Sequence, residues 1–172
     1  APVDVAEAVA RRTHLENMGD PGSGKTTLLR YLSRTTERFP IYARIASFAE
    51  NGEWRAHSLS DFLPIACELD GCPPDGLPAL LNDELAKGGA LVLLDGLDEI
   101  ANPADRSGIV RRIEDFVRLH RAAGNRFILT SRIAGYWSYP LGEPFAHFTI
   151  QDMSDAQVEQ LRRQANCDAL TG

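Results

Sequence analysis

Hydrophobic residues along the chain follow two spacings that alternate from one segment to the next. Apolar side chains at positions 109, 113, 116 and 117, with charges between them, form the stripe of an amphipathic helix packed on a core. Short apolar runs bounded by turn residues predict strands. The pattern predicts strands at 13–18, 41–46, 90–95, 126–132 and 145–150, and helices at 3–12, 25–36, 58–69, 77–87 and from 103 onward. This alternation favours a three-layer α/β domain, with helices flanking a mostly parallel sheet of about five strands.

The predicted strand at 90–95 is apolar at every position before its last residue, Asp95. A run without alternation indicates a strand that is covered on both faces, as in a parallel sheet. Ligands of such sheets bind outside the carboxyl ends of the strands. Asp95 is therefore a candidate ligand of a nucleotide-bound Mg²⁺, and the alternative is an aspartate that only caps the next turn.

Residues 19–26 have the sequence Gly-Asp-Pro-Gly-Ser-Gly-Lys-Thr, a complete G-x-x-x-x-G-K-[ST] phosphate-binding loop. Its glycines let successive backbone N–H groups converge on a polyphosphate, and Lys25 adds a positive charge. The Thr26 hydroxyl is a candidate Mg²⁺ ligand, and the helix that follows directs its positive end at the anion. The predicted fold is thus a P-loop NTPase. The candidate nucleotide-binding residues are Gly19, Asp20, Pro21, Gly22, Ser23, Gly24, Lys25, Thr26 and Thr27.

Two further acids follow Asp95 closely, at Asp98 and Glu99. One carboxylate near a metal-bound phosphate can order the water shell of the metal, and another can position or deprotonate an attacking water. We assign the first role to Asp98 and the second to Glu99. The alternative is a solvated turn, or a cap for the helix that follows Pro103.

Arg132 ends the predicted strand at 126–132 and would stand at the same sheet edge as Asp95. A guanidinium there can contact a γ-phosphate and so distinguish a triphosphate from a diphosphate. The alternative is a surface arginine that closes the strand.

The predicted strand at 13–18 departs from this pattern because it contains Glu16 and Asn17. Such polar residues are unfavourable in a buried parallel strand. The strand is therefore expected to be an exposed edge, to be distorted, or to belong to a stretch where the sequence is altered or shortened.

Composition and charge narrow the class of protein further. Hydrophobic residues make up 44% of the 172, and no apolar run approaches the roughly 18–20 residues of a membrane span. The net charge of −6 gives no general footprint for nucleic acid. Cys67, Cys72 and Cys167 lack metal-site spacing and are expected to be reduced thiols. With no secretory segment at the start, we expect a cytoplasmic protein with neither membrane nor nucleic-acid partners.

Three stretches together resemble the NACHT family, in the STAND class of P-loop NTPases. They are the phosphate loop, Leu-Leu-Asp-Gly-Leu-Asp-Glu at 93–99, and Ile-Leu-Thr-Ser-Arg at 128–132. The resemblance spans roughly residues 13–150 and implies Mg²⁺ binding by Thr26 and Asp95, hydrolysis through Glu99 and γ-phosphate sensing by Arg132. It further implies that 1–150 form the nucleotide-binding domain and 151–172 begin a helical subdomain, with a winged-helix subdomain beyond it.

Three other kinds of protein deserve comparison. A GTPase is disfavoured because the chain has no N/T-K-x-D segment, so ATP and ADP are the expected nucleotides. An AAA+ ATPase motor could use Asp98 and Glu99 as its acidic pair, but the apolar run ends at Asp95, and such a motor tends to carry asparagine where Arg132 stands. A nucleotide-binding interaction module with negligible hydrolysis is the third alternative, and an intact Glu99 argues against it.

The sequence therefore predicts an ATP-binding, Mg²⁺-dependent hydrolase that works as a switch. The family resemblance implies that such a switch gates homo-oligomerisation in immune, antiviral or developmental signalling. We expect hydrolysis by these 172 residues alone to be slow.

Overall fold

A single five-stranded sheet organises the domain. The computed structural model describes residues 14–18, 23–66, 76–131 and 145–149. The strands are β1 (His14–Met18), β2 (Phe39–Arg44), β3 (Ala90–Asp95), β4 (Arg126–Ser131) and β5 (Ala146–Thr149). They lie in the order β2-β3-β4-β1-β5, and every neighbouring pair is parallel. The predicted α/β class with a parallel sheet is confirmed.

Helices connect β1 to β2, β2 to β3 and β3 to β4, as parallel strands require. They are α1 (Lys25–Thr35), α2 (Ile45–Ala49), α3 (Glu53–Ala56), α4 (Leu59–Ala66), α5 (Leu77–Lys87) and α6 (Pro103–His120). Short 3₁₀ turns cover Glu50–Gly52, Leu97–Glu99 and Arg121–Ala123. The helices predicted at 3–12 and after 150 lie outside the described residues, as does the end of the helix predicted at 58–69.

Two element starts show how local sequence sets the boundaries. The capping box predicted at Ser58 is present, because Ser58 N donates to Asp61 Oδ2 at 3.1 Å and Asp61 N donates to Ser58 Oγ at 3.2 Å. The second strand, predicted at 41–46, instead ends at Arg44. Ile45 and Phe48 are three residues apart and both fully buried, a helical spacing that places them in α2.

The expectation that the first strand could be an exposed edge is wrong. β1 lies between β4 and β5, and its backbone pairs with β4 in unbroken register from His14 to Met18. Asn17 is paired with Thr130 on one side and with Phe148 on the other. This regular pairing also argues against a distorted strand. β1 is interior because the chain turns back toward it after β2. In that direction β3 pairs beside β2 and β4 pairs beside β3, so β4 comes to lie beside β1.

The core has two parts, one on each face of the sheet. On one face α1 packs through Leu29 and Leu32 against side chains of β2, β3 and β4. On the other face the larger cluster joins α2, α4, α5 and α6 to the sheet. All six residues of β3 are buried, which confirms that this strand is covered on both faces.

A buried asparagine fixes the edge of the sheet opposite Asp95. Asn125 Nδ2 donates to the backbone oxygens of Leu85 at 2.7 Å and His120 at 2.9 Å, and its Oδ1 accepts from Ala90 N at 3.0 Å. These bonds join the ends of α5 and α6 to the first residue of β3. The start of β3 is thereby anchored, and its far end presents Asp95 at the carboxyl edge.

Candidate nucleotide-binding site

Asp95 is held by hydroxyl groups from both neighbouring strands. Its side chain is 6% exposed at the carboxyl end of β3. Thr130 Oγ1 donates to Asp95 Oδ1 at 2.5 Å, and Tyr42 Oη donates to Asp95 Oδ2 at 3.0 Å. A buried carboxylate is costly unless it is hydrogen-bonded, and each oxygen here has such a bond. The arrangement fixes the carboxylate and differs from a simple turn cap.

Strand alternation explains why these three side chains meet. Residues two apart in a strand lie on the same face, so Tyr42 and Arg44 share a face of β2. Asp95 shares the face of Leu93, and Thr130 that of Ile128, which both pack in the α1 cluster. Backbone register places Arg44 beside Asp95. A polar row therefore crosses β2, β3 and β4 on the face that α1 covers.

Tyr42 remains a hydrogen-bond donor over a wide pH range. Burial raises the pKa of its phenol to about 12, and the charge of Asp95 and the hydrogen bond to it act in the same direction, while Arg30 acts weakly against them. A neutral phenol keeps its proton, so it donates to the carboxylate throughout the physiological range.

The backbone conformation of the residue after Asp95 favours glycine, and the nearby Glu99 side chain leaves little room for a Cβ. Gly96 has a φ of +79°, in the left-handed region that other residues rarely adopt. A Cβ added to Gly96 would lie 3.0 Å from Cδ of Glu99, whose side chain folds back over this glycine. Gly96 N donates to Thr130 Oγ1 at 3.0 Å, which locks the start of the 3₁₀ turn Leu97–Glu99 onto β4.

Glu99 forms an ion pair with Arg44. Arg44 Nη2 donates to Glu99 Oε2 at 3.0 Å, and the two side chains are 54% and 44% exposed. The hydrogen bond and charge of Glu99 raise the pKa of the Arg44 guanidinium above its ordinary value. The acid predicted to act on water is thus attached to the last residue of β2.

The acidic cluster does not cap the following helix. The cap of α6 is Asn102, whose Oδ1 accepts from Ala104 N at 2.9 Å. Asp98 is partly buried, and its backbone oxygen accepts from Arg106 Nη2 at 3.2 Å. That contact ties the turn to α6. Because Asn102 is the cap of α6, the capping alternative for Asp98 and Glu99 is wrong.

The described part of the phosphate loop has the geometry that its sequence predicts. Gly24 precedes α1 with a φ of +89°, and a Cβ built there would meet no atom within 4 Å. Lys25 Nζ donates to Ser23 Oγ at 3.4 Å, and the first turn of α1 contains no acid that would repel an anion. Gly19, Asp20, Pro21 and Gly22 lie outside the described residues, as does Arg132.

The residues present fit a magnesium-bound nucleotide. Mg²⁺ is usually held by one or two protein carboxylates together with hydroxyl, phosphate and water oxygens. Asp95 offers a carboxylate that is already oriented, and Thr26 offers a hydroxyl in the first turn of α1. Within the described ranges no three His, Cys, Asp or Glu residues cluster as a metal site of their own.

Sequence reasoning missed Tyr42, Thr130 and Arg44 as parts of this site. Tyr42 and Arg44 belong to no recognisable motif, and Thr130 stands in the Ile-Leu-Thr-Ser-Arg stretch without a role of its own there. Each reaches the acidic cluster through the pairing of strands that are distant in sequence. The only available signal was position. Tyr42 and Arg44 alternate at the end of a predicted strand, and Thr130 lies two residues before Arg132.

The chain has a phosphate loop before a helix, a strand-end aspartate and a parallel sheet with helices on both faces. Together these features define a P-loop NTPase. The family model of the NACHT domain matches residues 17–168, well over half of the 172 residues. The chain belongs to the NACHT family, whose members are nucleotide-binding NTPases of the STAND type. No curated protein shows significant similarity to it. In the part of the chain that the structure describes, no helix has the length and apolarity to cross a membrane.

Proposed function

We propose that this domain binds Mg-ATP and hydrolyses it slowly, as a molecular switch. The observation that carries the proposal is the Asp95 carboxylate, held by Tyr42 and Thr130 at the sheet edge, with Glu99 in the adjoining turn. A strand-end carboxylate in this position suits a metal-bound triphosphate better than any structural role.

Binding would depend on the phosphate loop and α1. Backbone N–H groups of the loop and first turn would surround the phosphates, and Lys25 would offset their charge. Thr26 and Asp95 would hold Mg²⁺, with Asp98 ordering its water shell. The metal would supply charge stabilisation for the phosphate oxygens.

Hydrolysis would depend on Glu99. A water molecule would attack the γ-phosphorus while the bond to the β–γ bridging oxygen breaks, giving ADP and inorganic phosphate. Glu99 would orient this water and accept its proton. Asp95 would serve as a metal ligand and Glu99 as the base, so the two carboxylates would have separate roles.

The switch would depend on the presence of the γ-phosphate. Arg132 follows β4, the strand that contributes Thr130 to the site, and would contact the γ-phosphate of ATP but find no equivalent group in ADP. The two nucleotides would then favour different arrangements of the surrounding protein. In a NACHT protein, a cytoplasmic signalling role through homo-oligomerisation follows from that difference, and family membership favours it over an AAA+ motor.

Mg²⁺-dependent phosphate release and nucleotide affinity, measured on two variants, test the proposal. Glu99→Gln is expected to retain ATP affinity and to lose turnover by roughly 10²–10⁴-fold, the usual contribution of a general base. Asp95→Asn is expected to weaken Mg²⁺-dependent binding as well.

Controls are available on α5, where Asp83 and Glu84 are acids paired only with Lys87 in the described contacts. Asp83→Asn and Glu84→Gln should match the wild type in both measurements. Turnover that is lost in Asp98→Asn and retained in Glu99→Gln would reverse the assignment of the two acids. Turnover unaffected by all three site substitutions would reject the proposed chemistry.

A further inference from the structure

Arg44 and the proposed attacking water make competing demands on the same carboxylate. Glu99 Oε2 accepts a hydrogen bond from Arg44 Nη2 at 3.0 Å. A carboxylate in that bond has one oxygen committed to a cation, whereas a general base needs an oxygen directed at the water. This inference rests on the proposed hydrolytic role of Glu99.

The topology indicates where the ion pair holds Glu99. Arg44 ends β2, which is the edge strand beyond β3, while the phosphate loop follows β1 on the other side of β3. Two strand spacings, about 10 Å, separate β3 from β1. The pairing therefore draws Glu99 toward β2 and away from the strand that leads into the phosphate loop.

Gly96 makes this position of Glu99 sterically accessible. The Glu99 side chain passes so close to Gly96 that a Cβ there would be 3.0 to 3.2 Å from three of its atoms. Glu99 thus rests on one side against a residue without a side chain and on the other against the Arg44 guanidinium. Its conformation is defined by two contacts, and only the contact with Arg44 involves charge.

The ion pair has the strength of a reversible latch. Both side chains are about half exposed, and exposed ion pairs of this kind shift an equilibrium by only about 1.5- to 5-fold. A pair of that strength biases the position of Glu99 without preventing its release. A water ordered by the γ-phosphate could therefore compete with Arg44 as the donor to this carboxylate.

We propose that Arg44 is a positioning residue that holds Glu99 toward β2, and that hydrolysis requires Glu99 to leave this ion pair. Arg44 would then limit the fraction of ATP-bound molecules in which Glu99 is placed to act as the base. The consequence is a built-in brake on turnover, which suits a switch that must remain in its ATP state.

Steady-state phosphate release by Arg44→Ala tests the latch. Its kcat is expected to rise by about 1.5- to 5-fold, and KM to fall by no more than that factor, because removal of an exposed pair shifts the position of Glu99 to that extent. Arg44→Lys keeps a cation and should lie between the wild type and Arg44→Ala. Added salt should raise the wild-type kcat toward that of Arg44→Ala, since it screens the pair.

Two further variants separate this effect from a general change in stability. Arg55→Ala also removes an exposed arginine that pairs with an acid, Asp105 in the first turn of α6, but it leaves Glu99 and Arg44 in place and should leave kcat unchanged. In the double variant Arg44→Ala with Glu99→Gln, the rise should disappear, because the carboxylate that Arg44 restrains is absent. An unchanged or lower kcat in Arg44→Ala would overturn the proposal.

A measurement that needs no turnover covers the case in which hydrolysis is too slow to follow. The carboxyl ¹³C resonance of Glu99, assigned by its loss in Glu99→Gln, should move in Arg44→Ala and stay in Arg55→Ala. A non-hydrolysable ATP analogue should move the wild-type resonance toward its position in Arg44→Ala, and ADP should not. A resonance insensitive to Arg44 would overturn the latch. Loss of turnover in Glu99→Gln tests the hydrolytic proposal separately.

Discussion

The hydroxyl of Tyr42 donates a hydrogen bond of 3.0 Å to Oδ2 of Asp95, joining the edge strand β2 to the end of β3. The two residues are 53 positions apart in the chain. Together with Thr130 on β4, Tyr42 fixes the orientation of this buried carboxylate. This orientation matters because a metal-bound nucleotide requires the carboxylate of Asp95 at a defined place. If the carboxylate had to reorient on binding, the affinity for the metal-bound nucleotide would be lower.

We predict that Tyr42→Phe weakens Mg²⁺ binding while preserving the fold. The phenyl ring still fills the apolar site beside Leu91 and Leu93, but one oxygen of Asp95 loses its donor. Loss of a group that orients a metal ligand costs about 10–100-fold in metal affinity. The Mg²⁺ concentration for half-maximal ATP binding, measured by calorimetry, should rise by at least about tenfold. Tyr31→Phe, which alters an exposed tyrosine of α1, is the control, and equal behaviour of the two variants would contradict the prediction.

Lys25→Ala is expected to abolish detectable nucleotide binding. The lysine supplies the positive charge for the β- and γ-phosphates, and water cannot replace a cation fixed at the start of α1. Calorimetric titration with Mg-ATP measures the effect. Lys87→Ala removes a lysine at the end of α5 and should bind like the wild type. Undiminished affinity in Lys25→Ala would rule out the phosphate-loop assignment.

Arg132→Ala should reduce the difference in affinity between ATP and ADP. A charged hydrogen bond to the γ-phosphate contributes about 1.5–3 kcal/mol, and ADP lacks that group. Competition binding with both nucleotides gives the difference directly. Arg126 begins β4 at the opposite edge of the sheet, so Arg126→Ala should leave the difference unchanged. An equal loss for both nucleotides in Arg132→Ala would indicate a structural arginine.

Gly88→Ala should destabilise the fold by about 2–5 kcal/mol, the sum of a left-handed backbone and steric overlap. Gly88 ends α5 with a φ of +74°, and a Cβ there would lie 1.8 Å from the backbone oxygen of Ala123. Gly76→Ala is the matched control, since its backbone is right-handed and a Cβ would meet nothing within 4 Å. Urea unfolding measures both variants. A loss below about 1 kcal/mol at Gly88 would show that the two loops separate easily.

His120 should make the free energy of unfolding depend on pH. Burial lowers the pKa of its imidazole below 6.5, and Nε2 finds no hydrogen-bond partner within the described ranges. The unfolded chain therefore binds more protons, so stability is fully present above about pH 6.5 and falls as the pH decreases toward the folded pKa.

His120→Phe tests this pH dependence. The variant keeps ring packing on Phe116, whose centroid lies 4.6 Å from that of the imidazole, and cannot take up the proton. Its unfolding free energy should fall less than that of the wild type between pH 7.5 and 5.5. Replacing the exposed His57 by glutamine should leave the wild-type slope. Identical slopes in His120→Phe and the wild type would exclude His120 as the cause.

The sequence by itself determined most of the elements and the motifs. The continuous apolar run of β3 predicted a strand covered on both faces, and the helix Leu77–Lys87 ends at the glycines that follow it, as predicted. The Gly24-Lys25-Thr26 segment opens α1 where its sequence places it. These features depend on residues close together in the chain, so local periodicity and glycine conformations suffice to predict them.

Only the tertiary structure decided which residues meet at the sheet edge. Strand order and register decide three features of the site. They are the interior position of β1, the hydrogen bonds from Tyr42 and Thr130 to Asp95, and the pairing of Arg44 with Glu99. Strand order follows from how helices pack across the whole sheet, and no segment of the chain encodes it alone. Arg44 meets Glu99 only when β2 lies beside β3. The motifs therefore identified Glu99 as a candidate site residue but could not predict its ion pair with Arg44.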